Sequence, residues 1–201
     1  MDFSTDLKKE EKKERLFFAF WPDNHLQLLL SQLVDKLFPK IKARAIPQDF
    51  LHVTVLFLGW TRPSIIEEIK AELPFWLKPE GFPLSLEFNK AVLKKRGKEG
   101  IIWFEAPLVP SPIEELLQVL THFLTQKNVS FQAYDQFIPH ITIFRHVSYK
   151  SIPESLAKQK MDLPSPFELT VDTLYLVQSE LRPEGSSYKK IWACKLSSNK
   201  S

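Results

Sequence analysis

A chain of 201 residues with 44% hydrophobic side chains is long enough to bury a core in one domain or two tightly joined lobes; its 25% charged residues are ordinary for a soluble protein. A formal net charge of +3 and a pI near 8.8 suit a phosphate-bearing ligand but fall short of the dense basic face that wrapping duplex DNA demands. Cys194 stands alone, which excludes an internal disulfide and a cysteine metal cluster and fits a reducing cytosol.

Residues 1–14, with Lys8, Lys9, Glu10, Glu11, Lys12, Lys13 and Glu14 in a row, read as a loose charged tail. Leu16–Trp21 is strand-like and too short for a signal-peptide core or a membrane span, so a cytoplasmic chain that crosses no membrane is expected. Asp23 or Asn24 can cap a helix whose apolar positions are Leu26, Leu29, Leu30, Leu33 and Leu37, an amphipathic spacing. Leu51–Leu58 is a strand, and Ser64-x-x-Glu67 is a capping box that opens a second helix. Leu84–Leu93 and Ile101–Glu105 are strands flanking Lys94–Gly100, a basic, glycine-containing stretch expected to be a hairpin tip. Ser111-x-x-Glu114, with Pro112 at the first helical position, opens a third helix with a stripe of Ile113, Leu116, Leu117, Leu120 and Leu124. His140–Arg145 is a strand, Ser151-x-x-Glu154 opens a short fourth helix, and Phe167–Val177 and Ser187–Leu196 are strands. Residues 197–201 are expected to fray.

One motif occurs twice in this series. His52-Val53-Thr54-Val55 and His140-Ile141-Thr142-Ile143 both lie in β-branched runs. Side chains alternate across a strand, so His52 and Thr54 share one face and Val53 and Val55 the other; the same holds for His140 and Thr142 against Ile141 and Ile143. Each half of the chain runs strand, helix, His-x-Thr strand, helix. Asn24 precedes His52 by 28 residues, and Ser111 precedes His140 by 29, the agreement an internal duplication leaves. The expected fold is α+β: one bilobal domain over residues 15–196, with a pseudo-twofold axis, two mainly antiparallel sheets lining a central cleft, and helices outside.

Two such strands facing each other bring together two imidazoles and two hydroxyls. Histidine titrates near neutral pH, so one ring can accept a proton from water while the other gives one to a departing ribose oxygen. Thr54 and Thr142 are placed to hydrogen-bond the non-bridging oxygens of a phosphate between them. Arg145 can clamp that phosphate in a bidentate manner. Strand parity, however, turns a residue five positions after His140 away from the cleft, unless a bulge or strand end redirects it.

Other candidates are weaker. His25 and His122 lie on predicted outer helices, and His146 has no partner motif. Asp49 and Asp135 read as loop or turn residues. No metal site is expected, because the two strands place no carboxylate at alternating ligand positions and the histidines have no local partner. Lys94, Lys95, Arg96 and Lys98 read as a solvated hairpin tip, or alternatively as an arm touching an RNA backbone. Phe57, Trp103, Phe137 and Tyr188 are core residues by default, with base stacking as the alternative.

From Arg15 to Leu196 the chain resembles the 2H phosphoesterase superfamily, and within it the RNA 2′,3′-cyclic phosphodiesterase or 2′-5′ RNA ligase family. The resemblance lies in Arg15-Leu16-Phe17-Phe18-Ala19-Phe20, in Leu51-His52-Val53-Thr54-Val55 with Phe57-Leu58-Gly59, in Pro139-His140-Ile141-Thr142-Ile143-Phe144-Arg145, and in Ser179-Glu180-Leu181 with Gly185 through Tyr188. It implies hydrolysis of an RNA-terminal 2′,3′-cyclic phosphate to a 2′-phosphomonoester, without metal or nucleotide cofactor. His52 is then the proton donor, His140 the proton acceptor, and Arg145 a phosphate contact. The implied partners are RNA ends or small cyclic nucleotides, and a monomer is expected. Family members often carry a basic residue two positions after the first threonine. Here that residue is Leu56, which by parity shares the face of His52 and Thr54, so a basic substrate contact is expected to be missing. The same histidines would also serve 2′-5′ end joining, and a non-catalytic RNA-binding role on this fold is a further reading.

Overall fold

The computed structural model describes residues 12–77, 80–183 and 185–196. The tails expected at 1–11 and 197–201 lie outside them. The strands are β1 Glu14–Phe20, β2 Arg44–Ala45, β3 Val53–Thr61, β4 Leu84–Arg96, β5 Glu99–Glu105, β6 His140–Val147, β7 Lys160–Val171, β8 Thr173–Arg182 and β9 Gly185–Lys195. The helices are α1 Asn24–Leu37, α2 Pro63–Trp76 and α3 Ser111–Gln126. All strand pairs are antiparallel, in the order β7-β4-β5-β6-β3-β1-β8-β9, with β2 added beside β6.

The centre of that order is a seam. The two histidine strands, β3 and β6, meet through one registered pair, Val53 with Ile141. On either side of it each half is built alike. β3 pairs with β1 and β6 pairs with β5, and two further strands lie beyond each, β8 and β9 on one side and β4 and β7 on the other. This is the expected α+β duplication, but the two expected sheets are joined edge to edge at the motifs into one nine-stranded sheet.

Burial explains the arrangement. Leu16, Phe18 and Phe20 of β1 point into the main core, while Phe17 and Ala19 lie with Val177 in a small cluster on the opposite face. The main core also takes Ile65, Ile66, Ile69 and Leu73 of α2 and Ile113, Leu116, Leu120, Phe123 and Leu124 of α3, so these helices cover the sheet face opposite the cleft.

Several local expectations change. Asp23 does cap α1, its carboxylate accepting from the Leu26 N–H at 2.7 Å, but Leu29 is 46% exposed and lies off the buried stripe. The two capping boxes do not form. α2 is capped at Arg62 and opens with Pro63, and α3 is capped at Pro110, neither through a side chain, so Ser64 and Ser111 lie inside the helices and both start upstream of the expected position. The fourth helix is only two 3₁₀ turns, Tyr149–Ser151 and Glu154–Leu156, because Pro153 disfavours helical backbone at Ile152 before it. The run Phe167–Val177 breaks at Asp172 into β7 and β8. The Lys94–Gly100 stretch is mostly strand: Lys94 pairs with Ile101 and Arg96 with Glu99, so the turn is only Gly97 and Lys98, with Gly97 at φ +56°, as a two-residue hairpin requires.

Ile141 is fully buried at the seam. Ile141→Ala is predicted to lower the unfolding free energy by about 2–5 kcal/mol, read as a lower urea midpoint at unchanged slope. A loss below about 1 kcal/mol, well under that range, would mean the seam is not part of the packed core.

Candidate active site

The seam pair dictates the site. Val53 and Ile141 are both fully buried, so their neighbours must face the other way. His52, Thr54, His140 and Thr142 accordingly line one cleft of about 130 Å³. Continuing the antiparallel register from Val53 and Ile141 sets His52 across from Thr142 and Thr54 across from His140. Val55 and Ile143 are buried behind them.

Each strand then breaks its own alternation at the same place. Phe18 pairs with Leu56 and Ala19 with Thr54, which leaves Val55 as an extra residue in β3; Ile102 pairs with Phe144 and Trp103 with Thr142, which leaves Ile143 as an extra residue in β6. These are β-bulges three residues after each histidine, and a bulge reverses the parity of all that follows. In β6 it buries Phe144 behind Ile143 and turns Arg145 into the cleft. In β3 it buries Leu56, 1% exposed, and turns Phe57 inward. The expectation that Leu56 faces the substrate is therefore wrong. The basic group on that side is Arg15 of β1, which lines the cleft, lies over the Phe57 ring at 4.5 Å and donates to Ser179 Oγ at 2.8 Å. Period-two alternation with Phe17 places Arg15 on this face, a signal that sequence reasoning left unused.

Both imidazoles are held in the same way. His52 Nδ1 lies 2.6 Å from the Phe50 carbonyl oxygen, and His140 Nδ1 lies 2.9 Å from that of Ile138. A carbonyl only accepts, so each Nδ1 carries the proton and each Nε2 is left for chemistry. Trp21 stacks on the His52 ring at 4.9 Å and 14°, with Phe17 and Tyr188 each 5.0 Å from it. Trp103 lies 5.0 Å from the His140 ring.

Their electrostatics differ. Burial is the main cause that pushes the His52 pKa down from 6.5 to about 4; Arg145 and His140 lower it further, while the hydrogen bond to Phe50 works against them. Burial also lowers His140, as do Arg145 and Lys94, but the Ile138 hydrogen bond and the charge of Glu105 oppose the shift. Glu105 is 5% exposed, pairs with His140 in register, accepts from Trp103 Nε1 at 3.2 Å and bonds Lys160 at 2.5 Å. No sequence signal marked it beyond its place at the end of a strand.

The remaining candidates separate. Tyr188 lines the cleft, with Phe50 and Ile46, which the sequence did not single out. Phe137 packs elsewhere, against Tyr134. His25 and His122 are exposed on α1 and α3, and Asp49 and Asp135 are exposed outside regular strands and α-helices. His146, at φ +55°, bonds Glu99 at 2.5 Å. Among the described residues no three His, Cys, Asp or Glu side chains gather as a metal-binding group, and no helix is long and apolar enough to cross a membrane.

Comparison with known proteins covers nearly the whole of this architecture. An RNA 2′,3′-cyclic phosphodiesterase of Thermotoga maritima is 28% identical over 184 residues, 90% of this chain and 94% of that protein. Crystal structures of E. coli LigT share the fold. The complex with 3′-AMP has a TM-score of 0.71 at 21% identity, covering 92% of this chain and 98% of LigT. The complex with NADP+ has a TM-score of 0.73 at 19% identity, covering 93% and 99%. The sequence profile of the 2′-5′ RNA ligase superfamily matches residues 18–182. That span runs through both histidine strands and the seam between them, and the chain belongs to the 2′-5′ RNA ligase superfamily.

Proposed function

We propose that this chain hydrolyses RNA-terminal 2′,3′-cyclic phosphates to 2′-phosphomonoesters. The observation that supports this best is the pair of imidazoles from opposite half-sheets. Each is fixed through Nδ1 by the carbonyl two residues before it, and both share one cleft with Arg145. The Thermotoga relative is named for the same class of substrate. Water attacks phosphorus as one neutral Nε2 takes its proton. The bond from phosphorus to the ribose 3′ oxygen breaks, and the other ring, protonated, gives its proton to that oxygen. Thr54 and Thr142 donate to the non-bridging oxygens, where negative charge grows in the transition state, and Arg145 holds the same oxygens through its guanidinium fork. The family resemblance makes His52 the donor and His140 the acceptor. The charge of Glu105 beside His140 favours the reverse assignment. With a 5′-hydroxyl in place of water as the nucleophile, the same groups open the cyclic phosphate into a 2′-5′ linkage, an outcome that product analysis with cyclic-phosphate and hydroxyl-ended RNA separates from hydrolysis.

His52→Ala and His140→Ala are each predicted to lower kcat by about 10²–10⁴-fold on an adenosine 2′,3′-cyclic phosphate. Replacing the 3′ oxygen of the substrate by sulfur, a leaving group that needs no proton, restores rate to the variant lacking the donor and not to the other. Wild-type rates in both variants would defeat the mechanism, and a filter-binding assay on those variants would then show whether RNA retention is the chain's role.

The acid-shifted histidines also set the pH dependence. Below about pH 4 both rings are charged and no base remains; above the lowered His140 pKa both are neutral and no acid remains. The profile of kcat/KM is predicted to be a bell whose alkaline limb lies below the ordinary histidine value of about 6.5. Glu105→Gln removes the charge that supports protonation of His140, so that limb moves to still lower pH. An unmoved limb would exclude Glu105 from the chemistry.

A further inference from the structure

The cleft has a neighbour. A second cavity, of about 200 Å³, shares Ile46, Phe50, Arg145 and Tyr188 with it, and Arg44, Arg182, Ser186 and Ser187 are among the other residues of its wall. Because Arg145 and Tyr188 line both cavities, a single layer of side chains divides them.

The second cavity has the chemistry of an anion receptor. Arg44 on β2 is the register partner of Arg145 on β6, so two guanidinium-bearing residues stand side by side. Arg44 also packs over the start of β9: its Nη1 lies 3.5 Å from where a Cβ on Gly185 would stand. Gly185 has φ +141°, a conformation open mainly to glycine. Arg182 is the register partner of Gly185 across the β8–β9 hairpin. Among the described residues no carboxylate lies within 4.0 Å of Arg44 or Arg145, and Arg182 has only the exposed Glu180, at 2.9 Å. Burial, and then the nearby charges of Arg44, Arg96 and Arg15, press on the Arg145 guanidinium and pull its pKa below the usual range, Tyr188 acting in the opposite sense. The guanidiniums of Arg44 and Arg145 repel each other, and an anion between them removes that repulsion while taking their hydrogen bonds in forked pairs.

We propose that this cavity is a second phosphate subsite. It takes the phosphoryl group on the 5′ oxygen of the nucleoside whose cyclic phosphate lies between His52 and His140. The inference rests on the cyclic-phosphate reading of the cleft. That phosphoryl group is an internal phosphodiester in an RNA end and a monoester in a 5′-phosphorylated mononucleotide, and the subsite makes a nucleoside carrying only the cyclic phosphate a poor substrate.

Three substrates test it: adenosine 2′,3′-cyclic phosphate, the same molecule with a 5′-phosphate, and the dinucleotide ApA ending in a 2′,3′-cyclic phosphate. The two that carry a second phosphoryl group are predicted to exceed the first in kcat/KM by about tenfold or more. A gain for the dinucleotide alone assigns the subsite to the internal diester, and a gain for both assigns it to any 5′-phosphoryl group. Arg44→Ala brings the ratio close to one, whereas Lys36→Ala, which removes the same charge from the last turn of α1, leaves it standing. Equal kcat/KM for all three substrates, or a ratio that survives Arg44→Ala combined with Arg182→Ala, overturns the subsite and leaves the activity of the cleft intact. If none of the three is turned over, the cyclic-phosphate reading is what fails. The subsite is then judged by calorimetry: adenosine 3′,5′-bisphosphate binding about tenfold tighter than adenosine 3′-phosphate, with the difference lost in Arg44→Ala, supports it, and equal binding overturns it.

Discussion

One backbone pairing decides where the chemistry sits. Val53 and Ile141 are the residues that follow the two histidines, and they are each other's partners in the one registered pair that joins β3 to β6 among the described residues. Both are sealed from solvent. Alternation does the rest: with these two aliphatics committed to the core, the imidazole and hydroxyl on either side of each are forced onto the opposite face. Convergence of the four groups is thus a consequence of core packing and needs no separate device. Slipping either strand by one residue would bury the histidines and expose the valine and isoleucine, so the hydrophobic effect that stabilises the sheet also fixes the register of the site.

The bulges add what alternation alone withholds. A flat strand would spread residues of one face along its length; an extra residue at Val55 and at Ile143 brings Phe57 and Arg145 onto the cleft face one position off the expected parity. The halves have diverged at those positions. One offers an aromatic ring under Arg15, the other a guanidinium. The positive charge around the cleft is therefore local. A chain with a net charge of only +3 gathers Arg15, Arg44 and Arg96 close enough to act on Arg145, and such focusing attracts a phosphate without a basic surface overall.

How much of this was readable in the sequence follows from which physical rule governs each residue. His52, Thr54, His140 and Thr142 obey simple period-two patterning within aliphatic runs, and the cleft takes them together as that pattern implies. The core stripe of α3 was legible for the same reason. Arg145 and Leu56 were not, because a bulge is a property of two paired strands and leaves no mark in either alone. Arg15 lies at the start of the first strand, but nothing in the strand alone says that its guanidinium reaches the cleft. Arg44 lies on a two-residue strand too short to show any period. Glu105 gains its meaning only from standing beside His140 in the neighbouring strand. The capping boxes misled because each serine lies inside its helix, α2 opening with Pro63 and α3 being capped at Pro110.

The direct test of the account is a crystal structure of the chain with the proposed product, adenosine 2′-phosphate, in the cleft. The account predicts one phosphate within hydrogen-bond reach of Nε2 of both His52 and His140, with the two threonine hydroxyls and the Arg145 guanidinium on its remaining oxygens and both Nδ1 atoms still on their carbonyls. A phosphate bound elsewhere, or one touching a single imidazole while the other ring stays packed away, would contradict it.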